Sequence, residues 1–115
     1  LLKEKISHLG DRYILPEPSK NSDPSWFGFL LTVRNGTKRN DVVNHLEENG
    51  VQTRMLFAGN ILRHPCFDEM RKRKTGFRVV GKLKNTDRIV KDAFWIGVYP
   101  GMTKAMIAYM SELLE

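Results

Sequence analysis

The stretch over residues 26–33, Trp-Phe-Gly-Phe-Leu-Leu-Thr-Val, constrains the fold more than any other part of the chain. Its aromatic and aliphatic residues suit a pleated strand, and Asn35-Gly36 ends it with a turn signal. Its near-continuous apolarity predicts burial on both faces or a central place in a sheet. Residues 51–56 and 94–99 read as further strands, the second halted by Pro100-Gly101. Helical spacing appears between and after them. Val42, Val43 and Leu46 form one stripe in a helix ending near residue 49, with Thr37 or Asn40 as its cap and Gly50 as its C-terminal stop. Thr103 caps a last helix, Met102 can staple against Ile107, and Met106, Ile107, Met110 and Leu114 read as its core face.

The remaining stretches are weaker. Residues 1–9 read as the end of a helix with Leu2, Ile6 and Leu9 on one face, stopped by Gly10. Residues 13–15 are a short apolar run, and 19–25 are a polar linker. Residues 57–65 form a loop with Gly59-Asn60 at its tip, followed by a helical turn over 66–70. The tract from Arg71 to Lys74 reads as an exposed basic excursion. A short strand is expected over 77–80, and a short helix over 86–92 capped by Asn85 or Thr86. This order predicts an α+β fold: a small sheet of about three to four strands with helices on one face.

Size and composition bound the function. The 115 residues suit one domain with one core. No apolar run approaches the ~20 residues needed to span a bilayer, and no secretory leader pattern is visible. The chain starts at Leu1, inside what reads as a helix, so a trimmed piece of a longer protein is expected. A single cysteine, Cys66, allows no internal disulfide and is too few for a zinc or iron–sulfur site. The cytoplasm is the expected compartment. The net charge of +6 favours anionic partners or simply makes a solvated basic face.

No complete catalytic constellation stands out. There is no Gly-rich phosphate loop and no nucleophile elbow. The three histidines, His8, His45 and His64, fit no metal spacing. The unusual segment is Gln52-Thr53-Arg54-Met55-Leu56-Phe57-Ala58-Gly59-Asn60. Strand alternation places Gln52 and Arg54 on one face. Arg54 is suited to clamp a phosphate or carboxylate with parallel hydrogen bonds, and Asn60 to read a sugar hydroxyl, because an amide both donates and accepts. A strand-end arginine on an ordinary surface has the same spacing.

Residues 50–60 with His64-Pro65 resemble the C-terminal domain of the sugar-nucleotide 3-dehydratases. Residues 25–29, 83–87 and 94–103 fit the same pattern, so the resemblance covers about residues 11–115 in one order. It is nearest to the RfbH-like CDP-4-keto-6-deoxy-glucose 3-dehydratases of O-antigen dideoxysugar synthesis, in the DegT-type branch of the fold type I aminotransferases. The resemblance implies a C-terminal small domain over 25–115, preceded by an interdomain helix tail and linker over 1–24. A larger N-terminal domain, absent here, would bind pyridoxamine or pyridoxal phosphate. There the cofactor amine would meet the 4-keto group of a nucleotide-linked sugar and the carbon-3 hydroxyl would leave. A [2Fe–2S] cluster, an iron–sulfur flavin reductase partner and a homodimer are implied for the whole protein. For this chain the resemblance implies Arg54 as anion clamp, Asn60 as hydroxyl reader, Phe57 as pocket wall and Gln52 beside them. It also implies no cofactor held, and no activity, without the large domain. Trp26 and Trp95 read as core.

Three other readings stand beside this one. The same domain occurs in the sugar aminotransferases of that branch. A free-standing RNA-binding module is suggested by Phe27-Gly28-Phe29 and the positive charge, although Trp26 stands where its motif asks for glycine. A structural domain without a ligand would leave Arg54 idle.

Overall fold

The computed structural model describes residues 1–115. Its centre is a four-stranded antiparallel sheet in the order β1-β2-β4-β3. The strands are β1 (Tyr13–Ile14), β2 (Gly28–Val33), β3 (Thr53–Arg54) and β4 (Ala93–Gly97). The apolar stretch of the sequence is β2, flanked by β1 and β4, so its central place follows the expectation. Burial on both faces does not. Phe29, Leu31 and Val33 are buried, whereas Gly28, Leu30 and Thr32 between them are only half-buried. The strand begins at Gly28, leaving Trp26 and Phe27 outside it and exposed.

Register decides which residues meet. Phe29 lies opposite Ile96, Leu31 opposite Phe94, and Tyr13 opposite Val33. Directly opposed residues point the same way, so these six make one apolar face. Three helices cover it: α1 (Leu2–Lys5), α2 (Arg39–Glu48) and α5 (Lys104–Leu114). They contribute Leu2, Val42, Leu46, Ile107, Met110 and Leu114, joined by Ile6 and by Leu9 from the 3-10 turn Ser7–Leu9. Each large apolar side chain fully buried here stabilises the fold by about 1.5–3 kcal/mol. Leu2, Ile6, Leu9 and Tyr13 belong to this core, so residues 1–15 pack on the sheet with the rest of the chain.

Helix termini follow local chemistry unevenly. Thr103 accepts from the Met106 N–H at 3.2 Å, capping α5 as expected. Helix α2 ends in a hydrogen-bonded αL turn. Gly50 N–H reaches Glu47 O at 3.1 Å, Val51 N–H reaches Leu46 O at 2.9 Å, and Gly50 sits at φ +77°. The expected N-caps of the other two helices fail. Lys38 precedes α2 without a side-chain cap, and the Asn40 amide oxygen accepts from the Arg39 guanidinium instead. Helix α4 (Lys84–Asp92) starts two residues before Thr86, after Leu83 at φ +48°. Helix α4 packs on β2 and β4 but adds no residue to the main core.

The excursion is more ordered than expected. It holds the 3-10 turns Ile61–Arg63 and Pro65–Phe67 and the helix α3 (Asp68–Arg73). Arg71, read as part of a free basic tract, binds the carbonyls of Leu62 and His64 and the carboxylate of Asp68. Residues 77–80 are not a strand and pair with no edge of the sheet. No residue from 61 to 92 is buried. The radius of gyration, 16.9 Å, accordingly exceeds the ~13 Å of a compact chain this long.

Candidate functional site

Strand alternation creates the site. Phe94 and Ile96 face the core, so Trp95 between them projects to the other side of the sheet. Arg54 lies directly opposite Trp95 in the β3–β4 register, and Leu30 opposite it on β2. The Trp95 ring lies over the start of β2, where only glycine fits: a Cβ on Gly28 would stand 2.9 Å from Trp95 Cε3. Phe27 stacks on the indole at 5.2 Å between centroids, tilted by 56°. Phe57 meets it edge-on at 5.0 Å and 76°. Edge-to-face pairs at this spacing are favourable by about 0.5–1.5 kcal/mol beyond burial. Both phenylalanines remain exposed, 82% and 78%. The Trp95 indole N–H is buried without an acceptor.

These aromatics wall a cleft of about 790 Å³, within the usual range of ligand sites. Tyr99, Met102, Met106 and Tyr109 close it from the β4–α5 side. Tyr109 is fixed by its hydroxyl, which donates to Asn49 O at 3.0 Å. Met106, expected in the core, is exposed and faces this cleft. Arg54 is the only charged residue in the lining, and Gln52 lies beside it. Arg54 makes no ion pair or side-chain hydrogen bond, so its guanidinium is free for an anion. Behind it, Glu47 accepts from the Thr53 N–H at 2.5 Å and the Thr53 hydroxyl at 2.8 Å. These bonds hold the Glu47 carboxyl below its ordinary range, with a smaller contribution from Arg54.

Of the four expected site residues, Gln52, Arg54 and Phe57 meet in this cleft. Asn60 does not. It is 7% exposed, its amide oxygen caps the Leu62 N–H at 3.1 Å, and its amide nitrogen donates to Asp87 Oδ1 at 2.8 Å. Each end of the amide is engaged within the fold, and Asn60 is not part of the cleft lining. Trp95, Phe27, Tyr99 and Tyr109 were missed. The signal was present for Trp95: adjacent residues of a strand cannot both face one core. The RNA-binding motif also dissolves, since Phe29 is 5% exposed and offers no stacking face.

A second cavity of about 900 Å³ lies between the β2–α2 turn and α4, lined by Arg34, Lys38, Arg88 and Lys91 among others. Those four cations are all solvent-exposed and none of the expected site residues reaches it. It is the solvated basic face that the net charge allowed. No helix is long and apolar enough to cross a membrane.

Comparison with known proteins fits this architecture. The lipopolysaccharide biosynthesis protein RfbH of Salmonella typhimurium is 42% identical over 99% of this chain. A dTDP-4-dehydro-2,6-dideoxy-D-glucose 3-dehydratase of Saccharopolyspora spinosa is 43% identical over 96%. The chain spans only about a quarter of each of them, 25% and 23%. The E. coli GDP-4-keto-6-deoxy-D-mannose-3-dehydratase has the same fold over 99% of this chain and 28% of its own, with a TM-score of 0.81 and 20% identity. Residues 1–115 match the family profile from end to end, and the chain belongs to the DegT/DnrJ/EryC1/StrS aminotransferase family.

Proposed function

We propose that this chain is the C-terminal small domain of a pyridoxal- or pyridoxamine-phosphate-dependent dehydratase. The whole enzyme would remove the carbon-3 hydroxyl of a CDP-linked 4-keto-6-deoxyhexose in dideoxysugar and O-antigen synthesis. The observation that carries the reading is the pair of relatives, a lipopolysaccharide biosynthesis protein and a sugar-nucleotide 3-dehydratase, each above 40% identity along nearly all of this chain. The cleft supports it locally. An unpaired arginine with an amide beside it, ringed by aromatics, suits a ligand that is anionic at one end and flat or apolar at the other.

The cleft does not fit a whole cofactor seat. Its lining holds no lysine, histidine or carboxylate, so it offers no base and no acid to face a pyridine nitrogen. When bound, the cofactor supplies the electron sink for loss of a group next to a keto carbon; in this reading the rest of the enzyme holds it. Arg54 orients an anionic part of the nucleotide-sugar, and Phe27, Phe57 and Trp95 exclude water along one wall. One exposed cysteine and no group of metal-binding side chains offer no seat for a [2Fe–2S] cluster within this chain, so in this reading any such cluster would be held elsewhere in the enzyme.

The test is Arg54→Ala and Arg54→Lys in the full-length enzyme, assayed on CDP-, GDP- and dTDP-linked 4-keto-6-deoxy sugars. Loss of a charged hydrogen bond worth about 1.5–3 kcal/mol lowers kcat/KM by roughly 10- to 100-fold in Arg54→Ala. Lysine restores part of it. An unchanged kcat/KM removes Arg54 from the site. The second reading, a sugar aminotransferase, is favoured by the family's description. Glutamate-dependent formation of an amino sugar, in place of carbon-3 deoxygenation, selects it.

A further inference from the structure

Phe57 is held by something other than its own packing. Its backbone lies at φ +40°, a region that bulky side chains avoid. Its ring is mostly exposed and meets the Trp95 indole edge-on at the cleft. A residue in such a conformation persists when its surroundings over-determine it.

The surroundings are on α4. Asp87 spends both carboxylate oxygens on the loop that follows Phe57. Oδ1 accepts from the Asn60 amide at 2.8 Å, and Oδ2 accepts from the Arg63 guanidinium at 2.7 Å. Those bonds hold the Asp87 carboxyl below its ordinary range, the Asn60 amide contributing most. Asn60 in turn caps the 3-10 turn through Leu62. The backbone N–H of Gly59 closes on Leu56 O at 3.2 Å, bracketing Phe57. One turn along α4, Val90 presses on Gly59 so closely that a Cβ there would stand 2.8 Å from Val90 Cγ2. Helix α4 is tied to the frame in its turn: Arg39 of α2 donates to Val90 O at 2.5 Å.

We infer that Asp87 is a positioning residue, through which α4 holds the 56–63 loop and sets Phe57 against Trp95 at the cleft wall. The inference rests on the proposed function only for the identity of the ligand that meets this wall. Asp87 is not itself part of the cleft lining. It acts through Asn60 and the turn at Gly59, so its removal and that of the Phe57 ring should have one shared effect.

The test reads that coupling without a substrate. Trp26→Phe leaves Trp95 as the one tryptophan of the 115-residue chain, and acrylamide quenching then reports how well Trp95 is covered. Phe57→Ala raises the quenching constant by about twofold, Asp87→Ala raises it comparably, and the double variant adds nothing further, as expected for residues acting as one unit. Asp87→Asn, which keeps an acceptor oxygen for Asn60, falls between and carries the test if far-ultraviolet circular dichroism shows Asp87→Ala to be unfolded. Unchanged quenching in a folded Asp87 variant, or additive effects in the double, overturns the inference. In the full-length enzyme, Asp87→Ala and Phe57→Ala raise KM for the nucleotide sugar by roughly tenfold and change kcat by less than about twofold, because the ring binds rather than reacts. Coupled quenching with KM unmoved in both variants leaves the clamp standing and removes the sugar-nucleotide reading of the cleft.

Discussion

Two glycines offer a controlled comparison of what the loop beside the cleft costs to build. Gly50 sits at φ +77° with nothing within 4 Å of where a Cβ would stand. Gly50→Ala therefore costs only the left-handed conformation, about 1–2 kcal/mol. Gly59 sits at φ +62°, and its Cβ would meet Val90 Cγ2 at 2.8 Å. Val90 is β-branched on a helix, with one strongly preferred χ1 rotamer, so the methyl cannot swing away cheaply. Overpacking of this kind costs about 1–3 kcal/mol. Gly59→Ala should thus lose about 2–5 kcal/mol in all, and Val90→Ala should return the steric share while leaving the backbone share in place. The gain from reducing unfolded-chain entropy is the same at both glycines and cancels in the comparison. Urea unfolding of the two single variants, of Val90→Ala and of the Gly59→Ala/Val90→Ala double gives each value from its midpoint, provided the slopes agree. A coupling of about 1–3 kcal/mol between positions 59 and 90 is expected. If Gly59→Ala proves no worse than Gly50→Ala, or Val90→Ala returns nothing, the contact that presses α4 on the loop is not there.

Two further predictions concern buried and exposed hydrogen bonds. The Tyr13 hydroxyl donates to Leu114 O at 3.0 Å within the core, so Tyr13→Phe should lower stability by about 1 kcal/mol, visible as a fall in Tm. Burial, opposed weakly by Arg12, raises the Tyr13 phenol above its ordinary 10.0. A raised value means stability that is full below pH 10 and is lost as pH rises through the folded value; Tyr13→Phe should flatten that alkaline limb, and an unaltered limb rejects the assignment. Glu47 has the opposite sign. Its carboxyl lies below the ordinary 4.5 because of the Thr53 backbone and hydroxyl bonds, so its contribution is present above 4.5 and disappears as pH falls through the lower, folded value. Glu47→Gln should shallow the acid limb of a stability-against-pH curve, and an identical limb in the variant shows that the clamp on β3 contributes nothing.

What could be read from the chain itself follows from whether the cause was local. The Met102-Thr103 start of α5 and the Gly50 stop of α2 were legible because a few neighbouring residues carry the whole signal. The clear strand was legible because apolarity and a turn signal sit in one run. The 77–80 strand failed because a strand needs an edge to pair with, and propensity says nothing about edges. Strand β1 was overlooked for the converse reason: it is two residues long, and what fixes it is Val33, Thr32 and the Tyr13–Leu114 bond across most of the chain. The N-caps of α2 and α4 were misplaced because Lys38 and Leu83, which precede these helices, make no side-chain capping bond. The site was half legible. Alternation put Gln52 and Arg54 together, but the aromatic wall that completes the cleft is assembled from the residue before β2, the loop after β3, β4 and its following turn, and α5.

The segment 52–60, which first suggested a site, divides into two parts with different work. Its first half faces outward: Gln52 and Arg54 alternate onto the open side of the sheet, and Phe57 stands over Trp95. Its second half faces inward: Gly59 makes room for Val90, and Asn60 gives both ends of its amide to the turn and to Asp87. Each half needs the other. An exposed phenylalanine at φ +40° has little packing beyond its edge contact with Trp95 to keep it in place, and a buried amide bonded to an aspartate lies outside the cleft lining. Joined within a few residues, they tie a helix outside the main core to the wall of a cleft whose lining it does not join. A substitution on α4 should therefore alter ligand binding without altering a single cleft residue, whereas one in the core behind β2 should alter stability first.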